Sequence, residues 1–369
     1  MKAPPMRPPI PTSPADITAD WLTQTLRAAN ALNSASVASV ALTRIGEDEG
    51  FSGGGLYLAR LTYDHADPSA PASLVVKLSP VDPAMRAITR AGNGREVGFY
   101  GKLAMGINLP VPYCYHFDFD DETAASILLL QDLGGYRSVP FLQGCGPADA
   151  KRVVESLVQI HATWWNSPAL DALTGAHFLD DYPFAALWPR YQDALKSLLQ
   201  DIDLPESFLT LGNFVAQNEA AIFKGIFDTA PVTCLHRDTQ ADNVMFAPPR
   251  AGGGAVLLDW QLVGKGRGAN DVGYFLISSV EPAQRRNMER GLVAHYHAEL
   301  LRAGIRGYTL RQCWADYLKS VAGKLYITVV ATVLLDNSSP HKQAWRRADL
   351  TRLLAFCKDH NITAATFSG

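Results

Sequence analysis

Several things are missing from this sequence, and each absence removes a class of function. It has only five cysteines, scattered at Cys114, Cys145, Cys234, Cys313 and Cys357, with no C-x-x-C pair. That pattern argues against a disulfide framework and a structural zinc site, and it suits reduced thiols in the cytoplasm. A formal charge of −3 leaves no basic surplus for nucleic acid or an anionic membrane. No G-x4-GK[ST] loop occurs, which disfavours a P-loop nucleotidase. The N-terminal "MKAPPMRPPIPTSP" lacks the apolar run of a signal peptide and reads as a mobile arm over residues 1–15. The longest apolar run, "LYITVVATVLL" at 325–335, is too short to span a bilayer and suits a buried helix.

What is present is an ordinary globular composition, 47% apolar and 19% charged, in 369 residues. That length supports two domains with substantial cores. "DITADWLTQTLRAA" (16–29) predicts a helix opening at Asp16. Three strand-like stretches follow at 36–46, 55–63 and 73–80, separated by glycine clusters. A helix is expected from about Arg95 to 104, then strands at 111–120 and 125–133. "GGYRSVP" (134–140) reads as a linker. Beyond it, helical periodicity covers 147–166, 184–200, 207–229, 282–304, 309–336 and 340–359, interrupted only by "NVMFAPP" and "AVLLDWQ". The expectation is an α+β protein. Residues 16–133 form a β-rich domain and 134–369 a helical one, with a ligand cleft between them.

The chemistry concentrates in "CLHRDTQADNVMF" (234–246), which contains H-x-D-x4-N, and in the apolar strand "AVLLDWQ" that carries Asp259. Phosphoryl transfer requires a hard cation held by oxygen ligands and a carboxylate to orient the attacking hydroxyl. Asp238 suits the carboxylate role, and Asn243 and Asp259 suit the metal. A buried Asp capping a loop is the bland alternative. A phosphate-anchoring cation is expected on a strand, and "LVVKL" offers Lys77. Glu96, in "REVGFY", is its candidate partner. By themselves these would read as an edge-strand lysine and a solvated glutamate. Gly53 and Gly54, within "GEDEGFSGGGLYLARL", could bring backbone N–H groups onto phosphates. A flexible hairpin turn is the competing reading, and Glu47, Asp48 and Glu49 add unfavourable charge. Backbone groups at Gln131, Asp132 and Leu133, closing "ILLLQDL", are candidates for the adenine edge.

In this order, Lys77, Glu96, the Gln131–Leu133 segment, "HRDTQADN" and "LLDWQ" resemble the protein-kinase-like superfamily. The chain looks most like its aminoglycoside/choline phosphotransferase branch. "REVGFY", "LLLQDL", "NVMF", "LLDWQ" and "DVGYFL" point to the ecdysteroid-kinase-like group, and "LVQIHATWW" is similar to the family's Leu-x-x-x-His-Ala helix. The resemblance implies a bilobal fold and ATP and Mg2+ as cofactors. Lys77 would contact the α/β-phosphates and Glu96 would orient it. Asp238 would be the base, with Asn243 and Asp259 on the metal. Asp271 would tie the large lobe to the catalytic loop, and His161 would pack against that loop.

Arg237 departs from the small-molecule branch, where glycine is common. Gln240 stands in place of the protein kinases' lysine. In protein kinases an arginine before the catalytic Asp can pair with a phosphorylated loop. Here 259–273 contains no Ser, Thr or Tyr, so that switch is excluded. The expected partner is therefore a small hydroxylated acceptor, with the protein a monomer or homodimer. Trp164, Trp165, Trp188, Trp260, Trp314 and Trp345 are candidates for an apolar acceptor pocket or, more simply, for core. A nucleotide-binding pseudokinase scaffold is the alternative, motivated by the irregular glycine segment, and a protein kinase is the third reading.

Overall fold

The computed structural model describes residues 8–46, 54–173, 182–199 and 203–367. Its contacts divide the chain into two compact units, Met1–Gly134 and Gly135–Gly369. The class is α+β.

In the first unit, helix α1 (Ala19–Ala28) precedes strands β1 (Val37–Arg44), β2 (Gly55–Tyr63) and β3 (Ser73–Leu78). Helix α2 (Pro83–Phe99) then leads to β4 (Cys114–Phe119) and β5 (Ser126–Gln131). The five strands form an antiparallel sheet in the order β1-β2-β3-β5-β4. Alternation along β3 turns Leu74, Val76 and Leu78 into a core shared with Trp21, Leu22 and Leu26 of α1. Lys77 is on the opposite face. β5 is buried from Ser126 to Leu130 because α1 and α2 cover the two sides of the sheet.

Three local details differ from the sequence expectation. The cap of α1 is Thr18, whose hydroxyl accepts the Trp21 amide, and Asp16 instead closes a preceding 3-10 turn. α2 begins a full three turns before Arg95, because Asp82 caps it and Pro83 occupies its first turn. Part of the segment read as a mobile arm is held: Trp21 Nε1 donates to Pro9 O, and Ile10 packs on the core.

The second unit begins with β6 (Arg137–Ser138), inside the stretch expected to be a linker. Then come α3 (Pro147–Thr163), α4 (Phe184–Leu198), α5 (Glu206–Gln217) and α6 (Glu219–Phe227). The expected single helix at 207–229 is split where Asn218 leaves helical geometry at φ −121°. Short strands follow: β7 (Thr233–Leu235), β8 (Val244–Phe246), β9 (Ala255–Leu257) and β10 (Gly264–Gly266). β7 pairs with β10, and β8 sits between β6 and β9.

Helix α7 (Ala269–Ser279) was not expected from the sequence. Every one of its residues is buried, so it shows no amphipathic period. α8 (Pro282–Arg302), α9 (Leu310–Leu334) and α10 (Pro340–Asp359) complete the unit. α9 extends the apolar run of 325–335 upstream, and by length and composition alone it could cross a bilayer. Instead it packs against α4, α6, α7, α8 and α10, with Lys324 and Asp316 buried along it.

Candidate active site

In the first unit Lys77 stands on the central strand of five, not at an edge. Its Nζ lies 2.7 Å from Glu96 Oε2, with the lysine side chain 18% and the glutamate 3% exposed. A buried carboxylate facing a partly exposed ammonium fixes the cation's direction. Gly54 has a packing reason for being glycine: a Cβ there would lie 2.2 Å from Leu78 O. Gly53 falls outside the described residues. Gln131 closes the sheet, its N–H donating to Tyr113 O at 2.8 Å. The Asp132 carboxylate is engaged locally, accepting from the Ser73 hydroxyl at 2.7 Å and from Gly134 N at 2.8 Å. Leu133 is buried.

In the second unit the chain leaves β7 and turns sharply through 236–243. Asp271, near the start of α7, holds that turn. It accepts His236 N at 2.7 Å and Arg237 N at 2.9 Å on its two carboxylate oxygens. His161 Nε2 is 3.3 Å from the same Asp271 Oδ2, and His161 Nδ1 is 2.8 Å from the Tyr296 hydroxyl. The α7 backbone helps too, since Thr239 Oγ1 donates to Asp271 O at 2.9 Å. His236 spans the loop: its Nε2 faces Leu258 O at 2.7 Å, while its Nδ1 accepts Asp238 N. A carbonyl can only accept, so the proton is on Nε2.

Arg237 adopts φ +66°. Its guanidinium donates to Lys265 O at 2.7 Å and lies 4.1 Å above the Phe227 ring. A Cβ on Gly264 would come within 2.2 Å of that guanidinium, so β10 needs a glycine there. The unusual arginine thus pins the loop to β10 and α6.

Asp238 is enclosed by protein with part of its surface still accessible. Its Oδ1 accepts the Tyr274 hydroxyl at 2.7 Å and its Oδ2 accepts Asn243 Nδ2 at 2.9 Å. Because Asn243 Nδ2 also donates to Asp238 O at 2.9 Å, the amide nitrogen is committed, which leaves Oδ1 as the atom that would serve a cation. Asp259 sits in the left-handed region, φ +62°, two residues past the end of β9. Burial raises the Asp238 pKa, and the Asp259 charge adds to that; the Tyr274 hydrogen bond, His236 and Lys324 oppose it. An Asn carbonyl and an Asp carboxylate beside an acid of raised pKa form a hard oxygen donor set that fits Mg2+. Among the described residues no cluster of three or more His, Cys, Asp or Glu is arranged to hold a metal ion.

Residues that sequence reasoning passed over surround this loop. Tyr274 is three positions after Asp271 on α7, so one helix face presents both residues to the loop. Its pKa is pushed far above normal by burial, then by Asp238 and Asp349, so it remains a donor. Lys324 Nζ lies 5.0 Å from the Tyr274 ring centre and 2.5 Å from Asp349 Oδ1, with both charged side chains wholly buried. Thr328 Oγ1 donates to Asp349 Oδ2 at 2.7 Å. A lysine inside the apolar run "SVAGKLYITVV" was the available signal, since such a charge is buried only with a partner. Of the candidate pocket tryptophans, Trp164, Trp188 and Trp260 are core. Trp345 stacks on Phe141 with ring centres 4.0 Å apart.

The family model for the phosphotransferase enzyme family matches residues 19–311. Among solved structures, a candidate aminoglycoside phosphotransferase from Ralstonia eutropha is 16% identical, with TM-score 0.50, over 92% of this chain and 98% of that one. An ethanolamine kinase from Plasmodium vivax is 13% identical, with TM-score 0.51, over 90% and 85%. A choline kinase from Cryptosporidium parvum is 8% identical, with TM-score 0.51, over 87% and 89%. No curated protein matches. At these identities the structural neighbours speak to the fold.

Proposed function

The chain belongs to the phosphotransferase enzyme family, and from that premise we propose that it moves the γ-phosphate of ATP to a hydroxyl of a small molecule, with Mg2+ as cofactor. The observation that carries this reading is the Asp238 carboxylate, gripped by Tyr274 and Asn243 on a loop that Asp271 holds. A carboxylate so held, with its pKa raised by burial, is suited to accept the proton of an attacking hydroxyl. Asn243 Oδ1 and Asp259 would hold Mg2+, which when bound neutralises charge on the phosphates. Lys77, directed by Glu96, would take the α/β-phosphates.

Small-molecule transfer is favoured over transfer to protein by the hydroxyl-free segment at 259–273. The neighbours named as ethanolamine and choline kinases are in keeping with it. Within the family, "NVMF", "LLDWQ" and "DVGYFL" support an ecdysteroid-kinase-like placement. Five free cysteines support a cytoplasmic setting.

The test is ADP release from Mg-ATP over a panel of alcohols, with Mg-ATP affinity measured separately. Asp238→Ala should lower turnover about 10^2–10^4-fold while nucleotide affinity holds. Unchanged turnover would remove Asp238 from the role of base. A wild type that binds Mg-ATP but phosphorylates nothing in a broad panel would favour the scaffold reading.

A further inference from the structure

Two donors of different origin orient the Asp238 carboxylate. Asn243 Nδ2, from the same loop, meets Oδ2, and the Tyr274 hydroxyl, from α7, meets Oδ1. Contiguous backbone sets the first bond. The second depends on where a long side chain of another element is aimed, and a misplacement of about 1 Å near the chemistry can cost about 10^2-fold in rate. Nothing in the loop itself aims Tyr274.

Packing around α7 does. Gly273, next to Tyr274, lets α7 approach α9 closely, since a Cβ there would strike Ser320 Oγ. Lys324 follows Ser320 by one turn on α9, so the same approach carries its ammonium to the face of the Tyr274 ring, 5.0 Å from the ring centre. The ammonium is held there. Asp349 Oδ1, on α10, lies 2.5 Å from it, and Thr328 Oγ1 donates to the other oxygen of Asp349 at 2.7 Å. Both charged side chains are wholly buried. Helices α7, α9 and α10 thus meet beside the ring whose hydroxyl serves Asp238.

Stability alone gives little reason for such a pair. Exchanged as a unit for neutral groups of similar size, a buried ion pair often costs nothing. What neutral groups cannot supply is a charge fixed over an aromatic face, which resists tilting of the ring. Resting on the phosphotransfer reading of Asp238, we infer that Lys324 is a positioning residue for the transfer. Sealed against Asp349, its ammonium fixes the Tyr274 ring, and through that hydroxyl the direction in which the Asp238 carboxylate meets the acceptor.

The test variant is Lys324→Met/Asp349→Asn, which removes both charges, keeps the volume and leaves Thr328 an acceptor. The full chain is assayed with Mg-ATP and an alcohol that supports ADP release, with denaturant midpoints measured alongside. The exchange should lower kcat about 10- to 100-fold, the scale of a hydrogen bond to a charged group, with the KM for Mg-ATP unchanged. Tyr274→Phe should lose about as much, and adding the exchange to Tyr274→Phe should lower kcat no further, because Lys324 acts through that hydroxyl. An equal loss with and without Tyr274→Phe, or a wild-type kcat in the exchanged variant, would overturn the inference. A second readout needs no turnover. In protein isotopically labelled at tyrosine Cζ, the Tyr274 resonance is the one missing from Tyr274→Phe. Asp238→Asn weakens the acceptor and should move that resonance, and the exchange should move it in the same direction. A resonance that stays in place in the exchanged variant sinks the inference whether or not any alcohol is phosphorylated. If the exchanged variant does not fold, Thr328→Val, which frees one oxygen of Asp349, takes its place, and an unmoved resonance with unchanged kcat counts against the role in the same way. The two readings fail separately. A resonance that responds in a protein releasing no ADP with any alcohol sinks phosphotransfer and keeps the link from Lys324 to Tyr274. Asp238-dependent transfer that is indifferent to the exchange does the reverse.

Discussion

Each unit contains a lysine paired with an acid, and the two pairs are built to opposite ends. Lys77 faces Glu96 at 2.7 Å with the lysine side chain 18% exposed. Lys324 faces Asp349 at 2.5 Å with neither side chain exposed at all. A pair that is partly exposed on its cationic side can exchange hydration for phosphate oxygens at lower cost than a sealed one. A sealed pair cannot, and its value is to hold what surrounds it. Lys324 lies against the ring of Tyr274, whose hydroxyl donates to Asp238. On the proposed reading the first pair would meet a ligand, and the second would fix the group that serves it.

The contrast breaks most readily through stability. Lys324→Met removes the ion-pair partner of the buried Asp349 charge, and a loss of about 3–5 kcal/mol is expected from denaturant titration. Lys77→Met should cost clearly less stability but lower kcat/KM for Mg-ATP about 10–100-fold, the worth of a charge-assisted hydrogen bond. Equal destabilisation by the two variants would erase the distinction.

Tyr274→Phe sharpens the other half. Burial raises the Asp238 pKa and the Tyr274 hydrogen bond lowers it. With Asp238 as the proposed base, it must be ionised, so activity should be lost as pH falls through that raised value, and removing the hydroxyl should move the acidic limb of the pH–rate profile to higher pH. For stability the sign is opposite. A carboxylate whose native pKa exceeds its unfolded one costs stability as pH rises. A limb that stays in place in Tyr274→Phe would separate Tyr274 from the base.

The smallest effect belongs to a third acid cluster, where Glu289 meets Arg285, Tyr317 and His360. Burial works to raise the Glu289 pKa, but His360, Tyr317 and Arg285 bring it down to about 2. Its stabilisation is therefore complete above the ordinary carboxylate range and fades as pH falls through about 2. Acid unfolding of Glu289→Gln should accordingly be shallower than that of the wild type.

Legibility followed the distance over which each element is specified. The strands around Lys77 are local patterns of alternation, and the structure places them within a few residues of their expected bounds. H-x-D-x4-N was readable because the loop's own backbone brings Asn243 back onto Asp238. α7 was invisible because a helix buried on every side has no period to detect. The start of α2 was missed although Asp82 followed by Pro83 is a capping signal. Arg237 could be noticed as unusual, but its carbonyl on Lys265 and its ring on Phe227 come from other elements.

The sequence by itself determined the α+β class, the strand that carries Lys77 and the loop that carries Asp238, because each is written in contiguous residues through alternation, helical period or fixed spacing. Only the tertiary structure decided which partners those groups have. Tyr274, Lys324 and Asp349 come from α7, α9 and α10, and their separate positions in the chain mean nothing until packing removes water and brings the charges together.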